Sequence, residues 1–365
     1  MARDRLPPSL EICETKSKGR GVFAASRIPR FEGVLAVRIW AVALALPARP
    51  FRCRSCFRAS GRGGPLQACS VCGQAYFCAT CRQSAETEEK HRHECLLLQR
   101  LEGFSSKQVQ TEVRANVALL ISLHAFIQTD PTGNMSDLLD LVQEPLSRPG
   151  ARRRARLRAM AAKLFLEILS NSGGGPGRLG LPPEDLTALL AAVPLNAFGL
   201  GPEGRDGHCL APAASYTNHS CMPNCVEEIG GGCVRFVALR DIEPGEEITF
   251  SYLDLSLPLE DRKSLMKTSW DFSCDCARCR GTPCAEVLAF DEEHLCHCGA
   301  ILLRKEETCR CDAECCKTAA RPPSSCAFDP IRTKKRRIFM PAACHHSRAT
   351  AQSLALVSAP DFLLS

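Results

Sequence analysis

Between Phe51 and about Leu98 the chain runs Cys53-x2-Cys56, Cys69-x2-Cys72, Cys78-x2-Cys81 and His91-x3-Cys95. Eight thiolate and imidazole ligands are enough for two tetrahedral Zn²⁺ ions with no coordination position left open, which is the arrangement of structural rather than catalytic zinc. The segment has few apolar residues for its length, so metal binding must supply much of its folding free energy. Whatever lies on either side therefore has to accommodate a small body held together from within. The 24 Cys among 365 residues would suggest disulfides in a small secreted chain. Here they come in pairs interleaved with His, and the basic, Pro-containing first residues lack the apolar region of an export signal, so metal is the better account.

The flanking texture is mixed. "LEIC", "GVFAA" and "GVLAVRIWAVALA" read as short strands joined by turns. The last of these, Val34 to Leu46, is interrupted by Arg38 and is too short to span a bilayer. Residues 96–128 are helical in pattern, with Val113, Val117, Leu120, Ile121 and His124 on one face. Residues 134–146 and 155–169 continue as helices, and a further one follows "LPPEDL" through Val193. Strands are expected again at 234–239 and 247–252, around a Pro-Gly-Glu turn. After Cys279 the pattern is Cys-rich and irregular to about Cys326, and the last forty residues read as weakly ordered. "CHCG" (296–299) and "CRCDAECC" (309–316), with Cys284 and Cys326 nearby, suit either a fourth zinc or a loose Cys-rich tail. A net charge of +6 is too small to mark a dedicated nucleic-acid binder, and no segment pairs two Cys with two His on a following helix. "ARRRARLRAM" (151–160) is read as a solvated helix face, and "KKRR" (334–337) as a weak nuclear-import signal.

Four further pieces carry chemistry in this order: "KGRGVFA" (18–24), "TNHSCMPNC" (217–225), "EPGEEITFSY" (243–252) and "FSCDCARC" (272–279). Together they resemble the SET-domain protein lysine methyltransferases. With a zinc module like the MYND finger between the first and second pieces, the chain resembles the SET and MYND domain (SMYD) family over roughly residues 8 to 280. The resemblance implies an α+β fold with a β-rich core of short sheets and a pseudo-knot. It divides the chain into a SET N-terminal part (8–50), a MYND finger (51–98), a helical insert (99–195), the SET C-terminal core (196–256), a post-SET zinc segment (257–281) and the tail (282–365). It assigns Cys53, Cys56, Cys78 and Cys81 to one zinc and Cys69, Cys72, His91 and Cys95 to the other, with His93 the alternative to His91. It completes a third site by adding Cys221 to Cys274, Cys276 and Cys279. Cys225 is left as a small buried hydrophobe.

The implied cofactor is S-adenosylmethionine. By resemblance Lys18, Gly19 and Arg20 border its methionine end, Asn218 and His219 fix it through side chains or backbone, Asn196 touches it, and Phe272 packs on the adenine or walls the lysine channel. Methyl transfer from a sulfonium is an in-line displacement that needs an aligned neutral amine and a dry channel. Tyr252 is the expected catalytic phenol, able to orient the amine without acting as a strong base; Tyr216 ranks below it as a second pocket phenol. The implied activity is protein-lysine N-methyltransfer to histone tails or other proteins, in nucleus and cytoplasm, with proline-rich peptides as further partners of the finger and no direct contact with nucleic acid or membrane. The alternative is a catalytically silent scaffold or transcriptional co-regulator; the presence of Asn218, His219 and Tyr252 argues against it. The longer family members carry a helical, repeat-like C-terminal domain whose pattern is not found after residue 280.

Overall fold

The computed structural model describes residues 6–15, 18–60, 64–104, 108–130, 135–173, 180–201, 204–281, 285–295, 303–305 and 308–310. The fourth-zinc candidates Cys284, Cys296, Cys298, Cys311, Cys315, Cys316 and Cys326, and the basic run 334–337, lie outside these residues. Among the described residues no helix is long and apolar enough to cross a membrane.

Strands β1 (Leu10–Thr15) and β2 (Gly19–Ala24) form an antiparallel hairpin, and β3 (Gly33–Arg38) and β4 (Ala41–Leu44) follow. The zinc module contributes β5 (Gln67–Ala68), β6 (Tyr76–Phe77) and the short α1 (Ala79–Arg82). Then come α2 (Ala85–Gly103), α3 (Thr111–Thr129), α4 (Met135–Leu139), α5 (Ala151–Asn171) and α6 (Pro183–Asn196). The chain returns to strands with β7 (Phe198–Leu200), β8 (Gly207–Leu210), β9 (Asn218–His219), β10 (Cys225–Gly230), β11 (Cys233–Ala238) and β12 (Thr249–Phe250). Helices α7 (Leu259–Trp270) and α8 (Ala285–His294) and the hairpin β13 (Leu303–Lys305) and β14 (Thr308–Arg310) complete it.

The two ends of the sequence build the sheets jointly. β3 pairs with β11 in a sheet ordered β10-β11-β3, and β4 pairs with β8 in one ordered β4-β8-β7, so strands before the zinc module lie against strands after the helical insert. Gly207, at φ +134°, opens β8 where an added Cβ would sit 2.1 Å from the Ala43 carbonyl oxygen, a place only glycine can occupy. The β sheets share one core, with Val22, Val42, Val234, Phe236 and Ile248 buried in it. The helices and the zinc module share a second core, in which Phe77, Leu98, Leu101, Leu120 and Phe165 pack with Trp40 of the SET side. A third, smaller core gathers Leu255, Leu265 and Met266 around Cys221 and Cys279.

Several local expectations are corrected. The helix placed at 96–128 is two helices. The first starts back at Ala85, where Ser84 Oγ accepts from the Thr87 amide as an N-cap, and ends at Gly103. α3 is not one-sided: Val117 to Ile127 are buried all round, as befits a central helix. The helix at 134–146 stops at Leu139, because the carbonyls beyond it serve outside donors, Asp140 taking Arg20 and Val142 taking Asn196. The strand at 247–252 shrinks to two residues. The Ile248 amide goes to Val22, the Tyr252 amide to His219, and only Thr249 and Phe250 ladder with β9. The irregular stretch after Cys279 includes a helix, α8. In the arginine run, Arg152, Arg153 and Arg156 are exposed, but Arg154 and Arg158 turn inward to the buried carboxylate of Glu144 at 2.7 and 2.8 Å.

Two measurements follow from the cores. Phe165→Ala empties a fully buried ring site between the helices and should lower stability in urea unfolding by about 3–5 kcal/mol. His208 is buried in β8 and burial alone brings it down to about 4, so the folded state favours the neutral ring. Because the unfolded chain then binds the extra proton, the urea midpoint should fall as pH drops from about 6.5 towards 4, and that slope should flatten in His208→Leu.

Candidate active site and zinc centres

Among the described residues three groups of Cys and His bring their ligand atoms within 4.8 Å of one another: Cys53, Cys56, Cys78 and Cys81; Cys69, Cys72, His91 and Cys95; and Cys221, Cys274, Cys276 and Cys279. These are the sets anticipated from the sequence, with His91 and not His93 in the second. The Cys56–Cys78 and Cys69–Cys95 sulfurs are 3.9 and 3.7 Å apart, and Cys221–Cys279 3.4 Å. A tetrahedron with Zn–S of about 2.3 Å has edges of about 3.8 Å, so the donor sets fit zinc in number, type and spacing. Cys225 lies buried in the β core, its thiol pushed up to about 12 by burial, as a small hydrophobe should be.

The third cluster adjoins the "TNHSCMPNC" loop, and the loop is held by its own polar side chains. Asn224 is buried and uses both ends of its amide: Nδ2 donates to the Glu247 carbonyl at 2.8 Å and Oδ1 accepts from the Thr249 amide at 2.8 Å. That clasp sets β9 parallel to β12, with Asn218 opposite Thr249 and His219 opposite Phe250. The His219 ring is fully engaged. Nδ1 accepts from the Tyr252 amide at 3.0 Å, and Nε2 faces Cys221 Sγ at 3.3 Å, so the proton belongs on Nε2. Burial lowers its pKa, in keeping with a neutral ring. Any cofactor contact at His219 is thereby left to its backbone, since the imidazole ties Tyr252 to the third cluster.

Tyr252 stands at the centre of an aromatic wall. Its ring centroid is 4.9 Å from Phe250, 5.3 Å from His219, 5.4 Å from Trp270 and 6.4 Å from Phe272. The hydroxyl donates to the Thr217 carbonyl at 2.8 Å. Burial, helped by the Glu247 charge, pushes the phenol well above its usual range, so it remains a neutral donor with its oxygen lone pairs available. Trp270 was not expected in this wall; its one signal is its place four residues before Cys274.

On the other side Lys18 and Asn218 converge on a residue that the sequence pattern does not mark, Glu247. Lys18 Nζ reaches Glu247 Oε2 at 2.7 Å, and Asn218 Nδ2 donates to Glu247 Oε1 at 2.8 Å and to the Arg20 carbonyl at 3.0 Å. Gly21 sits inside this clamp, where an added Cβ would lie 2.9 Å from both Asn218 Nδ2 and Glu247 Oε1. Gly19, at φ +72°, lets the chain turn into β2. The Arg20 guanidinium turns away to the Asp140 carbonyl at 2.7 Å and lies 4.7 Å from the centroid of the Tyr216 ring. Asn196 spends its amide hydrogens on the Val142 and Ala192 carbonyls at 2.8 and 2.7 Å, and its own carbonyl accepts from Ser215 Oγ. Tyr216 is buried in the β core and is not among the rings around Tyr252.

The donor chemistry fits a zwitterionic nucleoside ligand. It combines the Lys18 cation, the Glu247 carboxylate, the Asn218 carbonyl oxygen, the buried Thr217 hydroxyl without a protein partner, and the flat face of Phe272, 6.0 Å from His219.

The SET-domain profile matches residues 19–253, more than half of the chain. The chain belongs to the SET-domain family. Among curated proteins, this SET-domain chain is 25% identical over 74% of its length to a SET and MYND domain-containing protein of Dictyostelium discoideum, matching 82% of that protein. It is 29% identical over 75% of its length to the N-lysine methyltransferase SMYD2 of Gallus gallus, and 32% identical over 62% to the histone-lysine N-methyltransferase SMYD3 of Mus musculus. The matches span 60% and 52% of those two enzymes. A solved SET domain of LSMT bound to lysine and AdoHcy covers 73% of the chain at 12% identity and TM-score 0.30, too distant to carry geometry across.

Two outcomes test the site. Gly21→Ala should push Asn218 and Glu247 apart and cost about 1–3 kcal/mol in urea unfolding. Chelation of the third cluster should release Tyr252 from His219, read as a shift in the Trp270 emission beside it, and Trp40, stacked on Phe126 in the helical core, should contribute little to that shift.

Proposed function

We propose that this SET-domain protein is an S-adenosylmethionine-dependent protein-lysine N-methyltransferase, acting on lysine side chains of histone or other proteins. The observation that carries the reading is the Tyr252 hydroxyl. It is held on the Thr217 carbonyl, one residue before Asn218-His219, with Phe250, Trp270 and Phe272 around the ring.

Bound S-adenosylmethionine supplies an electrophilic methyl group on a sulfonium. The protein's share is to hold and align. Lys18, Glu247 and the free carbonyl oxygen of Asn218 offer opposite charges and an acceptor to an amino-acid zwitterion. The Tyr252 oxygen, its proton committed to Thr217, accepts a hydrogen bond from the incoming amine and points the nitrogen lone pair along the transfer line. The aromatic rings exclude water and favour the uncharged amine, the form that reacts.

The finger is proposed to recruit protein partners, proline-rich peptides among them. Its support is that Val71 and Leu96 are exposed on two elements that Gln99 Nε2 joins by donating to the Val71 carbonyl at 3.1 Å. Nucleus and cytoplasm are the proposed compartments; a fluorescent fusion with Lys334, Lys335, Arg336 and Arg337 replaced tests the first of them.

The activity is tested by calorimetric binding of S-adenosylhomocysteine to the zinc-loaded chain, with transfer of labelled methyl to histones and to other cellular proteins measured alongside. Asn218→Ala should weaken binding on the order of tenfold, the worth of a good hydrogen bond. Tyr252→Phe should keep binding and lose about 10²-fold or more in turnover. A well-folded wild-type chain that binds no S-adenosylhomocysteine would overturn the assignment in favour of a zinc-finger scaffold.

A further inference from the structure

We propose that Glu94 couples the two zinc centres of the finger, so that they are loaded and lost as one unit. Glu94 lies on α2 between His91 and Cys95, both ligands of the second cluster. The spacing of three brings its Oε1 to His91 Nδ1 at 3.0 Å, leaving Nε2 to face Cys72 Sγ at 3.7 Å. A carboxylate on the far nitrogen fixes the tautomer of a zinc-bound His and raises its basicity.

The same carboxylate faces the other centre. Arg54 sits between Cys53 and Cys56, ligands of the first cluster, and grips Glu94 with two parallel bonds, Nε to Oε1 at 2.8 Å and Nη2 to Oε2 at 2.7 Å. The Arg54 amide in turn donates at 2.8 Å to the carbonyl of Tyr76, two residues before Cys78. Glu94 is 3% exposed and Arg54 7%, so neither charge has water to fall back on. Removing the carboxylate would strand a guanidinium between two ligands of one zinc and free the imidazole of the other. One side chain therefore positions ligands of both ions, and this holds whatever reaction the SET core performs. A small cavity lined by Glu94, Arg54 and Lys90 on the finger side, Val42 of β4 and Ser122 of α3 marks where the pair abuts the rest of the fold.

The test is release of zinc from the full chain into excess chelator, followed by a metal indicator, with cobalt(II) replacement to mark the three-thiolate, one-imidazole site by absorption and thiol alkylation read by mass spectrometry to tell the Cys53 site from the equally four-thiolate Cys221 site. In Glu94→Gln the two finger ions should leave together and about 10–100-fold faster than in wild type. The third ion, held by Cys221, Cys274, Cys276 and Cys279, should leave at the wild-type rate, which also shows that the remainder is folded. Faster release from the His91 site alone, or no change at either, overturns the proposal. Should Glu94→Gln not fold, Arg54→Lys, which keeps the charge and gives up the fork, is read in the same way: acceleration confined to the Cys53 site would overturn it.

Discussion

The imidazole of His219 makes two bonds, and the functional end of the molecule hangs on them. One holds the backbone of Tyr252; the other meets Cys221, a ligand of the third cluster. A neutral ring with one donor and one acceptor is the only protonation state that satisfies both, and burial provides it. Through that ring the zinc-bound segment that follows α7, the segment that runs on from β12 to Tyr252 and the loop that starts at Thr217 become one rigid piece. Phe272 and Trp270 arrive in the wall around Tyr252 because the Cys274 thiolate, two and four residues beyond them, is anchored there.

What could be read in the sequence was what repeats at short range. The zinc ligands were legible because tetrahedral thiolate sites impose fixed local spacings, and the loop around Asn218 because Asn, His and Cys crowd into nine residues that no regular element requires. The interlaced strands followed from the resemblance rather than from periodicity. Glu247 and Glu94 were invisible for a common reason: each acts on partners brought near by the fold. Glu247 lies 229 residues from Lys18 and Glu94 lies 40 from Arg54, and a lone carboxylate in sequence looks like any solvated charge. The strand leading to Tyr252 is shorter than its alternation predicts, because alternation marks a ladder but not who receives the hydrogen bonds. Here three different neighbours take them.

The finger and the helices behave as one packed unit. α2 begins among the zinc ligands and ends against α3, and the buried Phe77, Cys78 and Cys95 belong to the same core as Leu101 and Leu120. Metal loading of the finger and packing of the helical insert are therefore mutually dependent, with the hydrophobic contribution of the helices supporting a module too small to fold on apolar burial alone.

The pairing of β4 with β8 and of β3 with β11 has a temporal consequence. Ala41 to Leu44 leave the ribosome long before their partners at Gly207 to Leu210 exist, and everything in between is finger and helix. At synthesis rates of about 5–20 residues per second the early strands wait on the order of ten seconds or more with unpaired edges. The intervening unit, rich in local contacts and able to capture zinc at once, is free to fold in that interval. The emerging SET core is thus assembled around a finished insert rather than the reverse, and a cell short of zinc would stall the chain at its centre, with the N-terminal strands still exposed.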